Sequence, residues 1–485
     1  MVHASDLIKT QAFIGGSWLS AANGATFPVR NPANGALIAE VADLAMTEVE
    51  AAITSSEQAQ EAWKHTTGKE RAAVLRAWFD LIIANQEALA QLITAEQGKP
   101  LYEARGEVAF GASFLEWFGE EAKRLYGDII PPSGRDRRFL VLKQPIGVCA
   151  AITLWNFPVA MITRKAGAAI AAGCSVVIKP SDETPLSALA LAALAQRAGM
   201  PDGLLNVVTA KDPAAIGQYL CEHPVIRKIS FTGSTPVGKL LVRQTAGTLK
   251  KLSLELGGNS PFIVFDDANI DKAVEGAMGS KFRNSGQTCV CTNRIYVQDG
   301  IHDEFVARLT KKVAELVVGN GADPSVKQGP LINVKAVEKV EALVADATAK
   351  GATVNTGGAR HSLGGTWFQP TVLTDMSAKM NISQEEIFGP VAAVFRFKDE
   401  DEVIRLANDT RYGLNAYFYS ENINRIWRVL EALEYGNVGI NEGLISTELA
   451  PFGGVKESGQ GREGSKYGID DYTEIKFACL GGLGG

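Results

Sequence analysis

Phe231-Thr232-Gly233-Ser234-Thr235-Pro236-Val237-Gly238 reads as a strand that runs into a Gly/Ser turn and then a helix. Such a junction presents backbone N–H groups and a helix N-terminus to a phosphate. It lies inside a longer alternation. Short apolar runs at Val148–Thr153, Ser175–Ile178, Leu205–Val208, Lys228–Phe231 and Leu252–Glu255 read as buried strands. Helical stretches are expected between them at Val159–Ala172, Ser187–Ala198, Pro213–Glu222 and Thr235–Ala246. Strand and helix in alternation, with short connections, predict an α/β fold built on a parallel sheet with helices on both faces. Ligands of such sheets lie beyond the carboxyl ends of the strands.

Outward from this region, the first hundred residues read as largely helical. Lys69 to Gln97 carries apolar residues at helical spacing and stops at Gly98, with Pro100 beyond. A second alternation follows Asn259. Helices are expected at Ile270–Asn284, Ile301–Val317 and Val334–Lys350, with strands at Arg294–Val297, Ala392–Phe397 and Ala416–Tyr419. Asp128 to Gln144 reads as an extended arm with Pro131-Pro132 at its base, and Tyr472–Cys479 alternates like a strand. Neither has a neighbouring partner in the sequence, so pairing with another subunit is expected. The chain shows no internal repeat, and low complexity is confined to the Gly481–Gly485 tail.

Composition sets bounds. With 46% hydrophobic and 21% charged residues over 485 positions, the chain reads as a soluble globular protein. A net charge of −6 and the lack of any Lys/Arg-rich stretch argue against nucleic acid as a partner. Six cysteines without regular spacing do not make a disulfide framework, and a reducing compartment is expected. The start of the chain lacks the basic flank and apolar core of an export signal. The apolar stretches from Ile146 to Ile162 and from Ala166 to Ile178 are interrupted by Asn156, Pro158, Arg164 and Lys165, so they read as core, not membrane spans. A cytoplasmic location follows, although a matrix protein shorn of its presequence would read the same.

Three segments carry chemistry. Arg283-Asn284-Ser285-Gly286-Gln287-Thr288-Cys289-Val290-Cys291 sets a thiol behind small and polar residues. A thiol is mostly protonated at neutral pH, so Cys289 needs activation to act as a nucleophile; the plain alternative is a core cysteine. Cys291 reads either as an inert neighbour or as the partner in a reversible disulfide that silences Cys289. All five histidines are scattered and no second Cys/His pair stands near, which argues against a zinc site or any other metal. The same scatter argues against a papain-like Cys/His pair. Glu255, flanked by Leu254 and Leu256, is the candidate general base, its pKa raised by desolvation; a buried ion pair is the other reading. Asn156, in Trp155-Asn156-Phe157-Pro158, would stabilise an oxyanion together with the Cys289 N–H, or would cap the helix that follows.

Oxidising a thiohemiacetal to a thioester releases a hydride, which needs an acceptor. The Gly233-Ser234 turn and Lys179-Pro180-Ser181-Asp182, both at strand ends, favour dinucleotide binding. Gly459-Gln460-Gly461-Arg462-Glu463-Gly464 also matches the G-x-G-x-x-G pattern, but a preceding strand and a following helix are not evident, and the match is set aside.

With these residues in view, the chain resembles the aldehyde dehydrogenase superfamily nearly end to end, from Phe13-Ile14-Gly15-Gly16 to the C-terminal strand, and within it the succinate-semialdehyde dehydrogenase branch. The resemblance implies Cys289 as nucleophile, Glu255 as general base and Asn156 as oxyanion donor. It implies cofactor contacts from Trp155, Lys179, Ser181, Asp182, Gly233, Ser234, Glu386 and Phe388, the last two within Glu385-Glu386-Ile387-Phe388-Gly389-Pro390. Pro451-Phe452-Gly453-Gly454, here with Val455 before Lys456, matches a late signature of the family. Arg164, Arg283 and Ser446 match positions that hold a distal carboxylate in this branch, as a guanidinium fork does well.

NAD or NADP is the implied cofactor. Asp182 stands where NADP-preferring bacterial relatives carry a small residue; a carboxylate accepts from a ribose 2′-OH and repels a 2′-phosphate, which leans toward NAD or dual use. The implied architecture is an open parallel Rossmann-type cofactor domain (1–127 and 145–254), an α/β catalytic domain (255–465) and a small β oligomerisation arm (128–144 and 466–485). A homo-oligomer, a dimer of dimers, is implied, as is a role in γ-aminobutyrate degradation. The expected reaction is oxidation of succinate semialdehyde to succinate, with glutarate semialdehyde or another short ω-oxo acid as the rival substrate. A cofactor-independent thiol hydrolase or acyltransferase, and a non-catalytic binding protein, are the readings from other classes.

Overall fold

The computed structural model describes residues 7–483. Residues 1–6, inspected above for an export signal, and the last two glycines of the tail lie outside the described residues.

The first sheet runs, from edge to edge, Gly459–Gln460, Lys251–Glu255, Ile226–Thr232, Val148–Ile152, Val176–Lys179, Leu205–Val207, Ala12–Ile14 and Ser17–Leu19. Its five central strands are those expected from the apolar runs, and they pair in parallel. Both faces are covered, which is why these strands read as nearly unbroken apolar stretches rather than alternating ones. The Ala160–Ala172 helix is buried along its whole length. Its alanines and glycine allow close approach to the Leu101–Glu121 helix, where a side chain at Gly111 would press on the Ala160 backbone.

A second sheet has the order Thr353–Thr356, Thr371–Thr374, Val391–Phe397, Thr292–Gln298, Ser260–Val264, Asn415–Tyr419 and Asn437–Ile440. All its pairings are parallel except that of the Thr353–Thr356 edge. The link between the two sheets is short. Lys251–Glu255 ends one, and Ser260–Val264 starts the other. Glu255 therefore stands where both sheets meet.

Two expectations are corrected. The N-terminal region is not helical throughout: Ala12–Ile14, Ser17–Leu19, Thr26–Arg30 and Leu37–Ala42 are strands, and helix begins at Met46. Thr26–Arg30 alternates exposed and buried residues, a period of two that helical reading overlooks. Beyond it, Lys69–Gln97 is split into Gly68–Ala84 and Gln86–Gln97 at Asn85, whose side chain donates to the Leu81 carbonyl. Gly98, at φ 95°, supplies the left-handed turn that ends the second helix. The arm's lack of a partner within the chain is the other. Asp128–Ile130, Arg138–Pro145 and Thr473–Leu480 pair with one another, antiparallel, within the chain. Among the described residues no helix is long and apolar enough to cross a membrane.

Candidate active site

Cys289 lies in a loop held from several sides. Asn284 and Ser285 take left-handed φ values of 53° and 56°, and Gly286 one of 74°. A side chain at Gly286 would run into the Gly389 carbonyl, so the loop packs directly on the Glu386–Pro390 segment. The Gln287 side chain accepts from the Ile332 N–H at 2.9 Å and donates to the Asn284 carbonyl at 3.1 Å, and the Tyr417 hydroxyl donates to the Val290 carbonyl at 2.8 Å. Cys289 itself borders a cavity of about 630 Å³. Burial pushes its thiol up to about 12; Arg164 draws it down, while Glu386 and Glu255 push it further up. Both cysteines of the loop are free thiols. Cys291 is turned inward, its Sγ donating to the Lys281 carbonyl at 3.3 Å.

Glu255 is 1% exposed, and neither carboxylate oxygen has a hydrogen-bond partner among the described residues. Burial first, then the negative charge of Glu463, raises its pKa well above the usual carboxylate range, against the pull of Arg164 and Lys165. The ion-pair alternative falls instead to Glu463, which binds both Arg164 and Lys165. Asn156 is fully buried and donates from Nδ2 to the Gln287 carbonyl at 3.0 Å. It does not cap the helix that follows. That task belongs to Glu107, whose Oε1 accepts from the N–H groups of Val159 and Ala160. One amide N–H of Asn156 is thus spent on the Cys289 loop, and its second makes no bond among the described residues.

At the carboxyl ends of the first sheet, the Gly233 N–H donates to the Glu255 carbonyl at 3.0 Å, tying the Gly233-Ser234 turn to the Lys251–Glu255 strand. Ser234 is the N-cap of the Thr235–Thr245 helix, but its side chain makes no capping bond. Lys179 is 2% exposed, and its ammonium donates to the adjacent Pro180 carbonyl; burial lowers its pKa to about 8. The Ser181 hydroxyl accepts from the Glu183 N–H at 3.2 Å. Asp182 is paired with Lys211 at 3.0 Å, a partner the sequence reading missed. Glu386 accepts from the Gly258 N–H at 3.1 Å, and burial raises its pKa. The Trp155 and Phe388 rings meet edge to face at 5.5 Å. An uncommitted helix N-terminus, a buried amine and a carboxylate at strand ends suit the pyrophosphate and ribose hydroxyls of a nicotinamide dinucleotide.

Arg164, Arg283 and Ser446 all border the cavity with Cys289, whereas Glu255 and Asn156 do not line it. Arg164 is bound to Glu463 and stacks on Phe452 at 4.9 Å; its Nη2 is buried without a hydrogen-bond partner. Arg283 stacks on Phe157 at 5.6 Å and has no acidic partner within ion-pair distance among the described residues. Most of the remaining lining is apolar, with Phe110, Met161, Phe282 and Leu444 among it. Glu463 belongs to the set-aside Gly459–Gly464 run. That run contains an antiparallel edge strand and is followed by a short helix, Ser465–Asp470, which the sequence reading did not expect. Gln97 was read only as the end of a helix, and Lys99 and Glu107 were not singled out; the Gln-Gly-Lys-Pro spacing gave no hint that they surround Asn156.

A half-buried thiol, a buried carboxylate without a partner and a parallel sheet with free strand ends suit an oxidoreductase. The chain belongs to the aldehyde dehydrogenase family, which it matches over residues 18–478, and is an NAD(P)-dependent enzyme of that class. It is 59% identical to the glutarate-semialdehyde dehydrogenase of Pseudomonas aeruginosa over 98% of this chain and 99% of that one. It is 58% identical, with the same shares covered, to the Escherichia coli enzyme named succinate-semialdehyde dehydrogenase, NADP(+) type. The crystal structure of succinate-semialdehyde dehydrogenase from Burkholderia pseudomallei superposes with a TM-score of 0.97 at 57% identity, covering 98% of each chain.

Proposed function

We propose that this enzyme oxidises succinate semialdehyde to succinate. The observation that carries the reading is Arg283, a guanidinium without an acidic partner that shares a largely apolar cavity with Cys289. The arginine would take the distal carboxylate, with Ser446 and the unpartnered Nη2 of Arg164 as further donors. Cys289 adds to the aldehyde carbon, and its proton passes toward Glu255. The free N–H of the Asn156 amide and the Cys289 N–H hold the oxygen that becomes negative. Lys179, the Ser234 turn and Glu386 would hold NAD(P), which would supply the acceptor for the hydride. Once that first proton has gone on to solvent, Glu255 takes another from the water that cleaves the thioester and returns it to the departing sulfur, which restores Cys289.

Glutarate semialdehyde is the second reading. A cavity of about 630 Å³ has room for one more methylene, and a methylene is worth only about 1–3 kcal/mol in such a pocket. For the cofactor, the Asp182–Lys211 pair supports dual use: the lysine offsets the carboxylate that would otherwise repel a 2′-phosphate. The two sheets support a cofactor unit of 1–127 with 145–254 and a catalytic unit of 255–465, the Gly459–Gln460 strand crossing that line. The exposed arm (128–144 and 466–485) supports a homo-oligomer, a dimer of dimers. Six free cysteines fit a reducing, cytoplasmic setting.

Initial rates of NAD(P)H formation with succinate semialdehyde, glutarate semialdehyde and butanal, using NAD and NADP in parallel, test the proposal. The acid aldehydes should exceed butanal in kcat/KM by about 10²-fold or more, and Arg283→Ala should erase most of that margin. Equal rates for butanal and the acids would remove the carboxylate site from the proposal.

A further inference from the structure

Lys99 and Glu107 form an ion pair at 2.6 Å with both side chains fully removed from solvent. Taking two charges out of water is expensive, and well-packed apolar side chains often serve stability as well or better. What this pair holds is specific. The Lys99 ammonium donates to the Asn156 carbonyl at 2.7 Å and sits 4.0 Å from the Phe157 ring. The second oxygen of Glu107 takes the Val159 and Ala160 N–H groups. The pair therefore grips the turn that carries Asn156 at both ends.

The Asn156 carbonyl also accepts from Asn284 Nδ2 at 3.1 Å, and the same amide donates to the Gln287 carbonyl at 3.2 Å. Gln97 closes the ring: its Nε2 donates to Asn284 Oδ1 at 3.0 Å, and its Oε1 accepts from the Lys99 N–H. The turn bearing Asn156 and the loop bearing Cys289 are thus referenced to one anchor, the junction of the Gln86–Gln97 and Leu101–Glu121 helices. We propose that Lys99 and Glu107 are positioning residues for the oxidation, fixing the main chain of Asn156 and so aiming its side-chain amide at the substrate oxygen above Cys289. This rests on the reading of Asn156 as the oxyanion donor.

A double-mutant cycle tests it. Lys99→Met, and Lys99→Met with Glu107→Gln (which leaves no lone buried charge), are each made alone and with Asn156→Ala. The readouts are the pre-steady-state rate of NAD(P)H formation and the Kd of the cofactor. Each change should slow the hydride step by about 10–10²-fold in the parent, leave cofactor Kd within about twofold, and cost less than about threefold once Asn156 is alanine. Lys99→Arg should recover part of the rate. Equal losses in both backgrounds, or no loss in the parent, would overturn the proposal while leaving Asn156 as the donor. If Asn156→Ala alone has no effect, the oxyanion reading itself fails, and any loss from Lys99→Met must arise elsewhere.

Discussion

Burial, more than any single neighbour, sets the protonation of both Cys289 and Glu255. With its thiol pushed up to about 12, the cysteine rests protonated near neutrality, and attack on a carbonyl requires its proton to be received. Glu255, a carboxylate with neither oxygen hydrogen-bonded among the described residues and itself raised by burial, is the candidate to receive it. Turnover should therefore rise with pH above the ordinary carboxylate range, and a pH–kcat profile of Glu255→Gln should lose that limb along with most steady-state turnover. Stability runs the other way. A carboxyl whose folded pKa is raised binds its proton more tightly when folded, so stability declines as pH climbs past the ordinary value of 4.5. Glu255→Gln should accordingly raise Tm by a few degrees at pH 8 and change it little at pH 4, as thermal scans would reveal; no gain at pH 8 would mean that the charge is compensated. Asn156→Ala should cost about 10²–10³ in kcat. The leucines beside Glu255 made its burial legible in the sequence, and Cys289 and Asn156 stood out by their settings. Glu463 and Glu107 were not legible, because each meets the site from a distant segment through a side chain whose direction only the packed fold determines.

Many strands buried on both faces were readable, although Ser260–Val264 and Thr371–Thr374 were missed despite full burial, and several edge strands were not. Val148–Ile152, Val176–Lys179 and Ile226–Thr232 announce themselves as apolar runs because helices cover both sides of the sheet. Thr353–Thr356 is exposed and Asn437–Ile440 only half-buried, so neither carries that signal. The strongly amphipathic helices Glu400–Asn408 and Ile423–Ala432 are short and were missed as well. Strand ends set cofactor chemistry, and Lys211 just beyond Leu205–Val207 is placed to matter. An ammonium beside Asp182 can leave that acid for a 2′-phosphate, whereas a 2′-OH leaves the pair intact. Lys211→Ala should lower kcat/KM for NADP about tenfold and shift that for NAD by less than about threefold; Asp182→Ala should favour NADP. Parallel kinetics with both cofactors decide it, and equal effects would separate Lys211 from the ribose site.

At the scale of the molecule, the arm is the feature that a single chain does not satisfy. Its three strands form a sheet with apolar side chains left in solvent, Ile129 at 80%, Ile475 at 72% and Phe477 at 59% exposure. A patch of this kind marks an interaction surface more often than a tolerated defect. Ile475 and Phe477 lie on one face of Thr473–Leu480, and Phe477 meets Phe139 diagonally across the ladder at 5.4 Å. The strand is also rooted near the site. The Lys251 ammonium donates to the Thr473 carbonyl at 2.9 Å, and the Ser253 hydroxyl to Asp471 at 2.7 Å, both from the strand that ends in Glu255. A second copy of the chain docked on the arm would therefore stiffen the strand of the general base as well as cover apolar surface. Ile475→Asp with Phe477→Asp should lower the mass seen by sedimentation to that of a smaller assembly and reduce Tm, with a fall in kcat larger than any change in cofactor Kd. Unchanged mass would mean that the apolar face serves some other contact; a lower mass with full kcat would cut the proposed connection between assembly and the Glu255 strand.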